Sequence, residues 1–351
     1  MVTSSPFGPP GDEDGLVGTI SGEYAYGDNG EYEVYVLVTD DDGGEVNSFV
    51  TSVIVNNVAP TVGGLEDIVT EEGTPVGLGD LAISDPGFDD THVAEIDWGD
   101  GASSTVELVD GAIPATHRYG DNGEYTIIVV ITDDDGGSDG TEIAVTASNA
   151  APIVDAGEDF TVDEGATVEL AASLEDPGYR DTHTATISWG DGEVSEAEIV
   201  FTQDQQGPSA IIVGTHQYAD DGVYTIEITA IDDDDAFGSD SVTVTVENTA
   251  PQLVDPGTRE LPEGTLVELG PIAFSDTGAG DAHTATIDFG DGVTEDATVA
   301  DGRILATHEY PDDGEYTVTV TVTDDEGLSD TVSFTVFVFN IAPTAVSDEY
   351  S

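Results

Sequence analysis

Short β-branched runs with a period of two recur along this chain. Tyr125-Thr-Ile-Ile-Val-Val-Ile-Thr and Tyr316-Thr-Val-Thr-Val-Thr-Val-Thr are β-branched runs closed off by Asp/Gly clusters. A period of two puts alternate side chains on opposite faces of a strand. Apolar residues at helical spacing are absent. Short strands set between turn signals, in units of roughly a hundred residues, predict an all-β chain of antiparallel sandwiches.

One tetrapeptide pattern sets the organisation. Asn57-Val-Ala-Pro, Asn149-Ala-Ala-Pro, Asn248-Thr-Ala-Pro and Asn340-Ile-Ala-Pro lie 92, 99 and 92 residues apart. They read as junctions between repeats: a partial repeat over 1–58, repeats over 59–149, 150–248 and 249–340, and a segment 341–351 that is either the start of a further repeat or a donor strand. The first copy keeps only the later strands, with Tyr24 where the others carry His. Either the sequence is a window on a longer array, or the incomplete first repeat accepts the C-terminal strand of a neighbouring molecule and so builds a filament. Pro in every junction restricts hinge freedom, which favours stacking into an extended rod.

Within the later repeats, Trp98-Gly-Asp-Gly, Trp189-Gly-Asp-Gly and Phe289-Gly-Asp-Gly are followed by Thr116-His-Arg-Tyr, Thr215-His-Gln-Tyr and Thr307-His-Glu-Tyr, then by Gly and a second Tyr. Tyr26-Gly-Asp-Asn-Gly-Glu-Tyr32, Tyr119-Gly-Asp-Asn-Gly-Glu-Tyr125 and Tyr310-Pro-Asp-Asp-Gly-Glu-Tyr316 set a turn before a Tyr-led strand, the arrangement of a tyrosine corner. This order, closing on Thr-Asp-Asp-x-Gly loops, resembles the PKD (polycystic kidney disease) domain in three full copies over nearly the whole chain. The resemblance implies tandem seven-stranded immunoglobulin-like β-sandwiches, used as spacer, adhesive or interaction modules on microbial surfaces and in secreted multidomain proteins. It does not imply catalysis.

Composition narrows the partners. The chain has 351 residues with 75 Asp+Glu against 4 Lys+Arg, a formal charge of −71, which repels nucleic acid and anionic membrane surfaces. A hydrophobic fraction of 38% is enough for packed cores, so the charge belongs on surfaces and loops. Such self-repulsion calls for multivalent cations or high salt, and the complete lack of Lys fits a halophilic setting as well as specific calcium binding. There is no Cys, so neither disulfides nor thiols contribute. The start Met1-Val-Thr-Ser-Ser-Pro-Phe has no apolar leader and no run reaches transmembrane length, so export signals and anchors are expected outside this segment. No Asn begins an N-glycosylation sequon, while Thr-rich faces leave O-glycosylation open.

In an immunoglobulin-like sandwich the loops after the second and sixth strands lie where the chain enters, so each junction Asn and two acidic loops are expected to converge at one pole. For the first full repeat these are Asn57, Asp85, Asp89, Asp90, Asp133 and Asp135; for the next, Asn149, Asp176, Asp181, Asp232 and Asp234; for the last, Asn248, Asp276, Asp281, Asp324 and Asp325. Asp28, Asp121 and Asp220 end the opposite pole of the preceding copy and add a ligand across the joint. A hard cation such as Ca²⁺ takes about 6–8 oxygens from such groups. The competing reading is that Asp and Gly serve turn geometry on a solvated surface. Neither an EF-hand nor a nonapeptide calcium loop is present: the twelfth residue from Asp133 is Ala144, where a bidentate Glu belongs.

The 6 histidines recur at two positions per full repeat, which points to a repeated structural job in preference to zinc or acid/base work. Trp98, Trp189 and Phe289 share one strand position and read as core plugs. The function that follows is a non-enzymatic structural repeat protein of the extracellular space or cell surface, a stalk, adhesin shaft or fibre subunit with calcium-stabilised joints. Its partners are neighbouring copies of itself or further repeats of the same chain. The alternatives are a carbohydrate- or protein-binding adhesin module with a surface glycan or protein ligand, and the spacer region of a secreted multidomain hydrolase. For the adhesin only the insertion Phe201-Thr-Gln-Asp-Gln-Gln-Gly-Pro-Ser stands out.

Overall fold

The computed structural model describes residues 3–4, 20–40, 42–79, 81–201 and 209–342, which form strands and turns with no helix among them. Residues 202–208 of the insertion and 343–351 of the terminal segment lie outside the described residues. There are two compact units, Met1–Ala150 with Pro177–Arg180, and Ala151–Asp176 with Asp181–Ser351.

In the first unit, Gly30–Thr39 pairs antiparallel with Glu45–Val55, a hairpin whose register slips between Val34 and Tyr35. Beyond Asn57 a five-stranded sheet runs in the order Ser103–Glu107, His92–Asp97, Gly123–Asp133, Ser138–Ser148 and Ile68–Glu71, the last strand being parallel to its neighbour. Short pairs, Thr61–Val62 with Ile83–Ser84 and Thr116–Arg118 with Pro75–Gly77, supply facing strands.

The second unit holds two sheets of eight strands each. In the first of them Val194–Phe201 joins both layers: Val194 to Ala197 pair with His183–Ser188, while Glu198 to Phe201 pair with Ser209–Gln217. One strand thereby turns the corner of a sandwich. Thr294–Ala300 does the same in the second sheet, pairing first with Thr284–Asp288 and then with Arg303–Leu305.

The predicted alternation is the burial pattern. In Gly123–Asp133 the side chains of Ile127, Val129 and Ile131 are fully buried, and three separate cores are built from such positions. Trp98, Trp189 and Phe289 plug these cores at 0–1% exposure. The two tryptophans are held by their ring nitrogens: Trp98 Nε1 donates to Ser104 Oγ (2.9 Å) and Trp189 Nε1 to Ser195 Oγ (3.0 Å). The hydroxyls of Tyr119, Tyr218 and Tyr310 donate to the plugs' carbonyls at 2.9, 2.7 and 3.2 Å. Burying a phenol is favourable only with such a partner. The Gly after each plug has positive φ, and a Cβ on Gly99 would stand 2.5 Å from the Thr126 carbonyl oxygen, so the turn admits no other residue there.

The corner tyrosines follow suit. Tyr32, Tyr125, Tyr224 and Tyr316 donate to the carbonyls of Asp28, Asp121, Asp220 and Asp312, at 2.9, 2.8, 3.1 and 3.0 Å. They fix the turns that carry Asp28, Asp121 and Asp220.

Candidate metal centre

Three layers of hydrogen bonding build the acidic pole of a repeat. The first Asp of the loops Thr132-Asp-Asp, Ile231-Asp-Asp and Thr323-Asp-Asp closes its own turn: Asp133 Oδ1 accepts the Asp135 and Gly137 amides, Asp232 Oδ1 those of Asp234 and Ala236, and Asp324 Oδ1 those of Gly327 and Leu328. The second Asp then ties the neighbouring loop, with Asp134, Asp233 and Asp325 accepting the amides of Thr91, Thr182 and Ala282 at 3.0, 2.8 and 2.7 Å. Finally the junction Asn docks, Asn57 Nδ2 donating to Asp133 Oδ2 (2.9 Å) and Asn248 Nδ2 to Asp324 Oδ2 (3.1 Å).

Both recurring histidine positions carry an Asp partner. His92, His183 and His283 bond Asp85, Asp176 and Asp276 at 3.0, 2.7 and 2.8 Å. His117, His216 and His308 bond Asp100, Asp191 and Asp291 at 2.9, 2.7 and 2.8 Å while stacking on Trp98, Trp189 and Phe289. The second set is bracing for the core plug. The first occupies one oxygen of an Asp in each acidic loop, and Asp85 Oδ1 and Asp276 Oδ1 also accept the amides of Gly87 and Gly278.

Carboxylates of these loops also meet each other. In the first unit Asp28, Asp90 and Asp135 bring one oxygen each within 4.8 Å of the others, and so do Asp85, Asp90 and Asp133. Asp90 Oδ1 is buried with no hydrogen-bond partner, while Asp89 and Asp135 are exposed. Burial, then the charges of Asp85, Asp28, Asp134 and Asp133, push the Asp90 carboxyl up. Asp133 goes the other way: burial opposes its charge, but the hydrogen bonds from Asn57, Gly137, Asp135 and Gly136 outweigh it and hold the carboxyl below its ordinary range.

In the second unit Glu164, Asp220 and Asp281 form one such group, and Asp276, Asp281 and His283 another. Asp220 is exposed and comes from the Tyr218 turn of one repeat, and Asp281 from the acidic loop of the next. Glu164 is 2% exposed. Both Asp281 oxygens, Glu164 Oε2 and Asn248 Oδ1 are buried without a partner. Three carboxylates within 4.8 Å repel by about 3 kcal/mol per pair at an effective dielectric of about 20. Burial, followed by the charges of Glu164, Asp276, Glu326 and Asp220, pushes the Asp281 carboxyl up to about 7. A hard cation answers both deficits, the missing partners and the repulsion.

Of the other residues singled out from sequence, Asp176, Asp181 and Asp232 are buried, Asn149 is half-buried, and Asp121, Asp234 and Asp325 are exposed. Glu164 escaped the sequence reading. Its only signal is a Glu-Gly pair in each full repeat, Glu72-Gly, Glu164-Gly and Glu263-Gly. All three take up the chain as it leaves the repeat: Oε1 of Glu72, Glu164 and Glu263 accepts the amide of Ala150, Thr249 and Ile341 at 2.8, 2.7 and 2.9 Å.

Sandwiches of this topology, repeated in tandem with acidic poles, define an immunoglobulin-like β-sandwich repeat protein. The family model described as PKD domain matches residues 57–147, 149–246 and 248–338, and the chain belongs to the PKD domain family. It is similar to the Dyslexia-associated protein KIAA0319 homolog of Mus musculus, 26% identical over 339 residues, and covers 29% of that relative's length with 88% of its own. Among solved structures it is similar to the PKD domain of an M14-like peptidase from Thermoplasmatales archaeon SCGC AB-540-F20, with 23% identity, TM-score 0.23, and 29% of this chain and 100% of that one covered. It is also similar to Protocadherin Gamma B2 extracellular cadherin domains 1–5, with 13% identity, TM-score 0.28, and 90% and 73% covered. No helix among the described residues is long and apolar enough to cross a membrane.

Proposed function

We propose that this chain is a non-enzymatic structural segment of an extracellular or cell-surface protein, a stalk, adhesin shaft or fibre, in which calcium at the acidic poles stiffens the joints. Its domains are bounded by the four Asn-x-Ala-Pro junctions, and further repeats or neighbouring copies are its partners. The observation that carries the reading is the set of buried carboxylate oxygens without partners where loops of successive repeats meet, Asp90 in one unit and Asp281 with Glu164 in the other. Surface turns alone do not account for it, because a solvated Asp keeps its oxygens in water and a buried orphaned one costs free energy.

A second reading, an adhesin module, has one observation in its favour. A cleft of about 460 Å³ beside the Asp85–Thr91 loop is lined by Asp85, His92, Val93, Glu107 and Leu108, with Phe88 at its rim and 67% exposed. An aromatic face with converging polar groups suits a small polar ligand such as a sugar.

Small-angle scattering separates the rod from a flexible string. With millimolar Ca²⁺ the whole chain is expected to give a longer maximum dimension and a narrower distance distribution than in EGTA at equal ionic strength. Identical profiles contradict the stiffened-joint reading.

A further inference from the structure

Glu164 sits in the turn after Phe160–Asp163, in the body of one repeat and far in sequence from the loop that meets it. Its two oxygens are used differently. Oε1 accepts the Thr249 amide at 2.7 Å and the Thr249 hydroxyl at 3.0 Å, pinning the junction that follows Asn248. Oε2 has no partner although the residue is only 2% exposed. It points at the loop of the next repeat: a Cβ built on Gly278 would stand 2.6 Å from Glu164 Oε2 and 2.5 Å from both oxygens of Asp281. Three carboxylate oxygens thus close on the space above a residue that has no side chain to fill it. Asp220 adds an oxygen within 4.8 Å from the same repeat as Glu164. Bonds other than those of the carboxylates also join these segments, since the Gly280 amide donates to the Ala219 carbonyl at 2.9 Å and the Thr249 and Thr277 hydroxyls are hydrogen-bonded to each other.

We infer that Glu164 is a cation ligand supplied by the preceding repeat, so that one hard divalent ion is shared between Glu164 and Asp220 on one side of the junction and Asp281 on the other. This rests on the calcium reading above and adds to it a specific donor and a consequence. Because the same side chain pins Thr249 through Oε1, filling the site fixes the junction and the next repeat's loop together. A carboxylate set of this kind, rich in charge, suits Ca²⁺ better than the small octahedral Mg²⁺, which dehydrates reluctantly.

The test is calorimetric titration of the whole chain with Ca²⁺ alone, for wild type, Glu164→Gln and Asp281→Asn. Gln keeps an acceptor for the Thr249 amide and the volume of Glu, and removes the charge at Oε2. Glu164→Gln is expected to weaken one site at least about tenfold, leaving the others unchanged, because Ca²⁺ affinity follows the charge of the ligand set. Asp281→Asn, which does not touch the pin, is expected to weaken the same site. In EGTA the Gln variant melts higher than wild type, since the repulsion with Asp281 is gone. If wild type binds Ca²⁺ and Glu164→Gln binds it with unchanged affinity at every site, the assignment of Glu164 is overturned while the calcium reading stands. If wild type binds no Ca²⁺, the calcium reading itself falls and this assignment with it.

Discussion

The two units meet the same geometric problem, a turn of one repeat against the acidic loop of the next, with different side chains. In the first unit the Asp89 amide donates to the Gly27 carbonyl at 3.0 Å; in the second the Gly280 amide donates to the Ala219 carbonyl at 2.9 Å. Around that shared bond the first unit places Phe88 over Gly27, so closely that a Cβ on Gly27 would stand 2.6 Å from Phe88 Cε2. The second unit has Ala279 at the position of Phe88 and Ala219 at that of Gly27. Its acidic loop meets buried Glu164 instead of an aromatic ring. The backbone bond is common to both joints, and beside it the first unit packs an aromatic ring where the second has a buried carboxylate.

Gly27→Val breaks this comparison hardest. The added side chain has to displace Phe88 or the Asp89 carboxylate, which overpacks a tight contact at a cost of about 1–3 kcal/mol. The counterpart Ala219→Gly in the second unit is expected to change stability by no more than about 1 kcal/mol, the entropic cost of an added Gly. Urea melts of the two variants that gave equal losses would show that the aromatic plays no part in the first joint.

A further effect concerns the pH dependence of the second unit. Asp281 in the folded chain is pushed up to about 7, above the ordinary carboxylate value near 3.9 that it regains on unfolding. A folded carboxyl raised in this way holds a proton that the unfolded chain has released. Its contribution is therefore fully present below about pH 4 and is lost as pH rises through about 7. In EGTA the stability of the second unit is expected to fall between pH 5 and pH 8 with a slope of at most about 1.4 kcal/mol per pH unit, the limit for a single proton. Asp281→Asn removes that dependence. A wild-type transition that rose over this range, or an Asn variant with the same slope, would set aside the crowding of charge at Asp281.

Much of the fold was legible because it is written in local and repeated terms. The alternation in Tyr316–Thr323 fixes buried and exposed faces, the Gly after Trp98 fixes a turn, and Tyr125 fixes its own corner within four residues. The site was legible only in part. The sequence points to Asp90, Asp220 and Asp281 as converging carboxylates, and the fold brings them into such groups. It does not separate them from Asp133 and Asp324, whose oxygens are taken up in closing a turn and holding the junction Asn. Nor does it reveal Glu164, because a Glu-Gly pair is an ordinary turn and the partner amide at Thr249 is 85 residues away. Which strand turns the sandwich corner is hidden for the same reason: Val194–Phe201 reads as one uninterrupted strand, and only its two partners divide it.

Thermal unfolding of the whole chain in millimolar Ca²⁺, in EGTA, and in Na⁺ at matched ionic strength tests the calcium-tied joint most directly. An ion that binds the folded state alone stabilises it by mass action, about 2.7 kcal/mol for a site at one hundred times its dissociation constant, whereas screening treats the salts alike. The account predicts a marked rise in Ca²⁺ over both other conditions. Equal transitions in Ca²⁺ and matched Na⁺ would contradict it and leave an acidic, salt-adapted array of sandwiches.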